Sequence, residues 1–421
     1  MAFKTISVFG LGYIGLPTAA LFASRKIKVI GVDVSPHTVN SINKGEVLIV
    51  EPELDMAVST SVSAGYLRAT LEPEPADAFL IAVPTPFKED HIPDLSYIKL
   101  AAKAIAPVLK KGDLVILEST VPVGATEKLA AWMAEVRPDI SFPQQKGEEA
   151  DINVAHCPER VLPGHIMHEL VENDRVIGGM TRRCAERSVD LYKAFVKGSC
   201  IITDSKTAEM AKLTENSFRD VNIAFANELS LICDRLSIDV WELISLANRH
   251  PRVNILRPGP GVGGHCIAVD PWFIVDSAPK EAKLIHTARL VNNSKPKWVL
   301  NKIKNACSLS VGSSGHWQGA KIACFGITFK PDIDDLRESP ALEIVTKLVN
   351  DGFDVAIVEP NIDELPDVLK GSSARLVSSV DAIKYSDVIV MLVDHQSFKE
   401  LSIDDLCGKQ LIDTRGVFSQ L

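Results

Sequence analysis

The chain has 421 residues, 46% hydrophobic and 24% charged, which is ordinary for a soluble globular protein and long enough for two or three domains. Its 45 Lys+Arg against 54 Asp+Glu give a formal charge of −9, which argues against a general nucleic-acid surface but leaves room for a local basic pocket around an anionic ligand. The 8 cysteines form no C-x-x-C pair, the N-terminus has no leader pattern, and no apolar run approaches the roughly 20 residues of a spanning helix. A cytoplasmic protein with reduced thiols, free of nucleic acid and membrane, is expected.

In chain order, Thr5–Gly10, Lys28–Asp33, Ala78–Val83 and Leu114–Glu118 read as short buried strands, with helices over Leu16–Ser24 and Tyr97–Leu109 between them. This alternation predicts a doubly wound parallel sheet. The stretch Ser205–Leu236 has neither proline nor glycine and predicts one long helix or two in succession. Thr287–Lys304 reads as a further helix despite Pro296, and the Ser/Gly-rich run Ser308–Gly319 as a linker. Lys321–Gly326, Asp354–Val358, Val388–Val393 and Gln410–Asp413 read as strands, with a helix over Pro340–Asn350. The expected α/β organisation is therefore a nucleotide-binding Rossmann domain over residues 1–200 and a helical domain over 201–307. A second Rossmann-like domain follows over 319–421.

Gly10-Leu-Gly12-Tyr13-Ile14-Gly15 directly follows the first strand and opens a helix. That is where three glycines permit a tight turn, backbone approach to a pyrophosphate, and close helix–strand packing. Asp33 ends the next strand, placed to accept hydrogen bonds from ribose hydroxyls and to repel a 2′-phosphate, so NAD is favoured over NADP. The segments Val83-Pro-Thr85-Pro86 and Glu118–Gly124 follow the next two predicted strands, over the ligand crevice of such a sheet.

Further on, Glu209, Lys212, Asn216 and Arg219 share one helical stripe, and Asn222 and Asn227 follow within the otherwise apolar Ile223–Leu231. Polar groups buried there need partners. Gly259-Pro-Gly-Val-Gly263-Gly264-His265-Cys266 sets four glycines before one thiol, a loop able to bring backbone N–H groups close to a ligand, with Asp270 four residues on. Neither His250 nor His265 has metal-ligand spacing, so no metal is expected.

These landmarks, over Gly10–Pro17, Val83–Pro86, Glu118–Gly124, Cys157–Gly164, Ala208–Leu229, Gly259–Asp270 and Phe325–Pro340, resemble the UDP-glucose/GDP-mannose dehydrogenase family along essentially the whole chain. The resemblance implies two Rossmann-like domains joined by a long central helix that commonly forms a homodimer interface. It implies NAD as cofactor and a UDP-sugar as substrate, oxidised from primary alcohol to carboxylate. Cys266 would be the nucleophile, Lys212 the general acid/base and Asn216 the oxyanion support. Asp270 would assist Lys212 with water, and Thr120 and Glu159 would assist water or substrate oxygens. Arg160, Val161, Lys212, Asn216, Arg219, His250, Arg252, Gly263 and Lys330 would hold the substrate. Gly10, Gly12, Tyr13, Ile14, Gly15, Asp33, Thr85, Thr126 and Arg337 would hold NAD. Other readings stay open: the same chemistry on UDP-N-acetylglucosamine or UDP-glucose, a two-electron hydroxyacid dehydrogenase with no need of Cys266, and a non-catalytic nucleotide-binding regulator.

Overall fold

A computed structural model describes residues 3–49, 51–88, 91–162, 164–264, 266–310 and 319–419. Most of the predicted linker and His265 lie outside the described residues. The chain forms two compact units, one of Met1–Glu215 with Trp272–Pro279, the other of Asn216–Pro271 with Lys280–Leu421.

The first unit is built on eight strands: β1 (Thr5–Phe9), β2 (Lys28–Val32), β3 (Leu67–Thr70), β4 (Ala78–Ile81), β5 (Leu114–Leu117), β6 (Asn153–His156), β7 (Arg175–Gly179) and β8 (Cys200–Asp204). Their order is β3-β2-β1-β4-β5-β6-β7-β8, parallel except where β7 meets β6 antiparallel. Alternate residues feed opposite layers: Ile6, Val8, Leu80 and Ile116 enter one core, while Phe9, Phe79, Ile81, Val115 and Leu117 enter the other. Burial on both faces is why these strands read as continuous apolar runs. The strands not anticipated from the sequence, β3, β6, β7 and β8, carry charged, polar or glycine residues. In β7 the glycines have a steric cause, because a Cβ on Gly178 would fall 2.5 Å from the Ala208 side chain.

The second unit holds a five-stranded parallel sheet of order β11-β10-β9-β12-β13. Its strands are β9 (Lys321–Phe325), β10 (Asp354–Val358), β11 (Arg375–Leu376), β12 (Val388–Met391) and β13 (Gln410–Asp413). The helix Pro340–Asn350 begins at an Ser339 cap with proline at its first position and buries Ala341, Ile344, Val345 and Leu348 at 3.6-residue spacing. The Ser205–Leu236 stretch is a single helix of 32 residues. Lys283–Ser310 is also one helix, and Pro296 lies inside it. Among the described residues no helix is long and apolar enough to cross a membrane.

The two sheets share one loop device that the sequences hide. Gly10 takes φ +86° and donates to Val32 O at 2.9 Å, while Leu11 N–H donates to Asp33 at 2.9 Å. In the second sheet Gly326 takes φ +87° and donates to Val358 O at 2.8 Å, while Ile327 N–H donates to Glu359 at 2.8 Å.

Candidate active site

In the first unit the dinucleotide turn is shaped for a pyrophosphate. A Cβ on Gly15 would sit 1.8 Å from Gly10 O, whereas one on Gly12 would meet nothing within 4 Å, leaving an open face beside the helix start. The helix Gly15–Ser24 has no side-chain cap, so its N-terminal amides and partial positive charge face that opening with Tyr13 and Ile14 at the tip. Asp33 is half-buried, and its two oxygens accept from Leu11 and Ser35 N–H, fixing the carboxylate while leaving lone pairs for ribose hydroxyls. The residues fit NAD.

The loops after β4 and β5 are tied together. Thr85 donates its hydroxyl to Thr120 O at 2.6 Å, and Ser119 donates to Val83 O at 2.6 Å. Thr126, expected among the cofactor contacts, is fully buried, and its hydroxyl donates to Glu209 at 2.6 Å. That hydrogen bond ties the start of the helix Ala125–Val136 to Glu209. Glu209, expected on a polar stripe with Lys212, instead accepts from Gly124 N–H (2.6 Å) and Thr126 N–H (2.8 Å) at the start of the helix Ala125–Val136. Burial raises its carboxyl above the ordinary value, though these hydrogen bonds work against the shift. Lys212 is half-buried on the same central helix.

Glu159 is buried, accepts from Arg160 N–H at 2.6 Å and lies 3.5 Å from the guanidinium of buried Arg175. Arg175 packs 4.6 Å from the Tyr192 ring, and the Tyr192 hydroxyl donates to Glu118 at 2.6 Å. Burial lifts the Glu118 carboxyl to about 7 against the lowering pull of Arg175. Neither Arg175 nor Tyr192 was legible beforehand, because a lone arginine at a strand start has no motif. Arg160 pairs with Glu215 at 2.6 Å, and Val161 packs against the core beside it.

In the second unit, Cys266 and Asp270 are joined by a turn in which Cys266 O accepts from Asp270 N–H at 2.9 Å. Asp270 is buried and accepts a hydrogen bond from the Asn216 side chain, so three of the expected catalytic residues form one connected group. The glycines before the cysteine are sterically required. A Cβ on Gly263 would fall 2.6 Å from Glu338 O, and one on Gly264 2.7 Å from the Phe329 ring. Gly264 N–H donates to Arg337 O at 3.1 Å, binding this loop to the segment after β9.

That segment carries exposed Lys330, whose backbone carbonyl accepts from the Thr328 hydroxyl at 3.0 Å. Arg337 is exposed and bidentate on Asp335, two residues before it. Arg219, His250 and Arg252 lie on the surface of this unit, with the His250 ring accepting from Arg252 N–H. A cleft here is lined by Pro260, Gly261, Thr328, Phe329, Pro331 and Arg415. Arg415, overlooked in the sequence, packs on Gly259 and pairs with Asp394 at 2.6 Å. Its signal was available: it lies two residues beyond the C-terminal end of β13, where open α/β sheets bind ligands. Glu359, the counterpart of Asp33, is fully buried on His395 at 3.1 Å, so it presents no carboxylate to a ribose.

The comparisons agree along the whole chain. The UDP-glucose/GDP-mannose dehydrogenase family matches through its NAD binding domain at residues 4–196, its central domain at 206–294 and its UDP binding domain at 323–420. A UDP-N-acetyl-D-mannosamine dehydrogenase of Yersinia pestis is 63% identical, covering 99% of this chain and 100% of that one. An NDP-N-acetyl-D-galactosaminuronic acid dehydrogenase of Ralstonia nicotianae is also 63% identical, covering 99% and 97%. The solved UDP-D-ManNAc dehydrogenase of Pyrococcus horikoshii superposes with a TM-score of 0.86 at 37% identity, over 99% of this chain and 96% of that one. The chain belongs to the UDP-glucose/GDP-mannose dehydrogenase family and is an NAD-dependent oxidoreductase.

Proposed function

We propose that this enzyme oxidises UDP-N-acetyl-D-mannosamine at C6 to UDP-N-acetyl-D-mannosaminuronate in the cytoplasm, as a homodimer, supplying a bacterial surface polysaccharide. The observation that carries the chemistry is the turn joining Cys266 to Asp270, with Asn216 donating to that carboxylate. The choice of sugar is supported by 63% identity to the Yersinia pestis enzyme. Two molecules of NAD⁺, bound in succession, would each supply the acceptor for one hydride.

In this reading Cys266 Sγ adds to the C6 aldehyde, and the resulting thiohemiacetal loses a second hydride to become a thioester. Asn216 and Lys212 stabilise the oxygen charge that develops, Lys212 moves the protons, and Asp270 helps it to use water for thioester hydrolysis. Thr120 and Glu159 assist the water or substrate oxygens. Arg160, Val161, Arg219, His250, Arg252, Gly263 and Lys330 hold the sugar nucleotide. Gly10, Gly12, Tyr13, Ile14, Gly15, Asp33, Thr85 and Arg337 hold the cofactor. Dimerisation is supported by an apolar stripe on the central helix, where Phe218, Phe225 and Ile232 recur every seven residues and are 69%, 52% and 47% exposed.

The test is NADH formed per limiting UDP-N-acetyl-D-mannosamine with NAD in excess. Two NADH and an acidic product support the reading; one NADH refutes the four-electron oxidation and removes Cys266 from the mechanism. Turnover of UDP-N-acetyl-D-galactosamine in preference would establish the second reading, which the Ralstonia nicotianae relative favours. Cys266→Ala is expected to abolish acid formation, and normal turnover by it would overturn the nucleophile assignment.

A further inference from the structure

The amide at Asn227 sits in the most apolar stretch of the central helix and is fully buried. Its Oδ1 accepts from Gly259 N–H at 2.9 Å, the first glycine of the cysteine loop. Its Nδ2 donates to Asn292 Oδ1 at 2.9 Å, on the helix Lys283–Ser310. Asn292 in turn donates to Asp220 Oδ1 at 2.8 Å and to Asp220 O at 3.1 Å. Arg289 pairs with the same Asp220 oxygen at 2.5 Å. All four side chains are buried.

The chain of bonds has one direction. Arg289 fixes Asp220 as an acceptor, Asp220 fixes the Asn292 amide with its N–H2 inward, and Asn292 Oδ1 then claims the Asn227 N–H2. Only that amide orientation turns Asn227 Oδ1 toward Gly259. The same helix carries Asn216, eleven residues before Asn227 and hydrogen-bonded to Asp270 in the turn that starts at Cys266. The cysteine loop is therefore pinned to one helix at both ends, by Asn227 at Gly259 and by Asn216 at Asp270. An apolar residue would fill the Asn227 site without needing partners, so four buried polar groups there call for a reason beyond packing.

We propose that Asn227 is a positioning residue for catalysis. Held by the Asn292–Asp220–Arg289 network, it fixes where Cys266 stands relative to Asn216. This rests on Cys266 being the nucleophile. The step it governs is capture of the aldehyde. The Cys266 S–H adds across the C6 carbonyl, forming the S–C bond while its proton passes to the carbonyl oxygen. The thiohemiacetal then gives its C6 hydride to NAD⁺ and its hydroxyl proton to a base, leaving thioester and NADH. A displaced loop slows capture but leaves the earlier hydride transfer, which does not involve sulfur, intact.

The experiment uses the full-length enzyme with UDP-N-acetyl-D-mannosamine, NAD and hydroxylamine to trap free aldehyde. Wild type forming two NADH per acid, with Cys266→Ala forming no acid, tests the underlying reading separately. Given that outcome, Asn227→Ala is expected to lower the ratio of acid to trapped oxime about tenfold, the scale of one buried hydrogen bond. Asn292→Ala, which leaves the Asn227 oxygen in place but undirected, should shift the ratio in the same direction by less, and serves alone if Asn227→Ala does not fold. Slower turnover with two NADH per acid and no oxime is what a merely structural role would give, and it would overturn the proposal.

Discussion

Replacing Glu209 with glutamine probes the link between the central helix and the Gly124–Thr126 segment. The carboxylate collects three hydrogen bonds of 2.6, 2.8 and 2.6 Å from Gly124 N–H, Thr126 N–H and the Thr126 hydroxyl, in a site 1% exposed. An amide of the same shape keeps one oxygen and turns its N–H2 against a donor. At least one bond to a charged acceptor is lost, worth about 1.5–3 kcal/mol. Because burial raises the carboxyl above its ordinary value, part of that is returned when the charge is removed, leaving roughly 2 kcal/mol. Thermal unfolding should fall by about 4–8 °C for a unit of this size. NAD affinity, measured by titration calorimetry, should weaken about tenfold as the Gly124 loop loosens. The pH dependence has a definite sign. A raised folded-state value means that the folded protein binds more protons than the unfolded chain between the ordinary carboxylate value and the raised one. Glu209 therefore contributes a stability that falls as pH rises through that window, and glutamine should remove this slope. Unchanged melting and unchanged NAD affinity in Glu209→Gln would refute the linkage.

Other outcomes follow from the second unit. Arg289→Met leaves buried Asp220 uncompensated and should cost about 3–5 kcal/mol in denaturant unfolding, with Asp220→Asn/Arg289→Met recovering part of it; a single-variant loss below about 1 kcal/mol would refute this. Gly263→Ala drives a Cβ to 2.6 Å from Glu338 O. Overpacking of about 1–3 kcal/mol should raise the KM for the sugar nucleotide about tenfold while circular dichroism is unchanged, and wild-type kinetics would count against the steric account. Lys295 is buried against Ser230 and the Trp298 ring, and burial lowers its ammonium from 10.5 to about 7. Between those values the unfolded chain binds the extra proton, so stability contributed at this site rises with pH from about 7 toward 10.5. Lys295→Met should flatten that rise in a melting series across pH, and an unaltered slope would assign it elsewhere.

Sequence patterning located what local rules govern. The Gly10–Gly15 turn, the central helix and the helix starting at Pro340 follow from glycine geometry, helical propensity and capping, all written within a few residues. The connection of Cys266 with Asp270 also came from spacing, since four residues place Asp270 N–H over Cys266 O. What escaped depended on distant partners. The hydrogen bond of the Thr126 hydroxyl to Glu209, 83 residues away, has no counterpart in the local pattern around Thr126. The position of Arg415 after β13 was legible, but its packing on Gly259, more than 150 residues earlier, was not. The repeat of the Asp33 device at Glu359 was invisible because only one acid per strand end and one glycine per turn are shared.

By itself, then, the sequence determined the parallel cores of the two sheets, the dinucleotide turn, the family and the residues proposed for the chemistry, because each is encoded in short-range pattern. Only the tertiary structure decided which polar groups are spent on one another. Asn227 became an anchor for the cysteine loop, Asn222 a local hydrogen bond to Phe218 O, and Glu209 a clamp on the Gly124–Thr126 segment. Those outcomes rest on burial and on the partners that burial supplies. A buried hydrogen-bonding group must be satisfied by whatever long-range packing brings beside it, and no spacing along the chain specifies that neighbour.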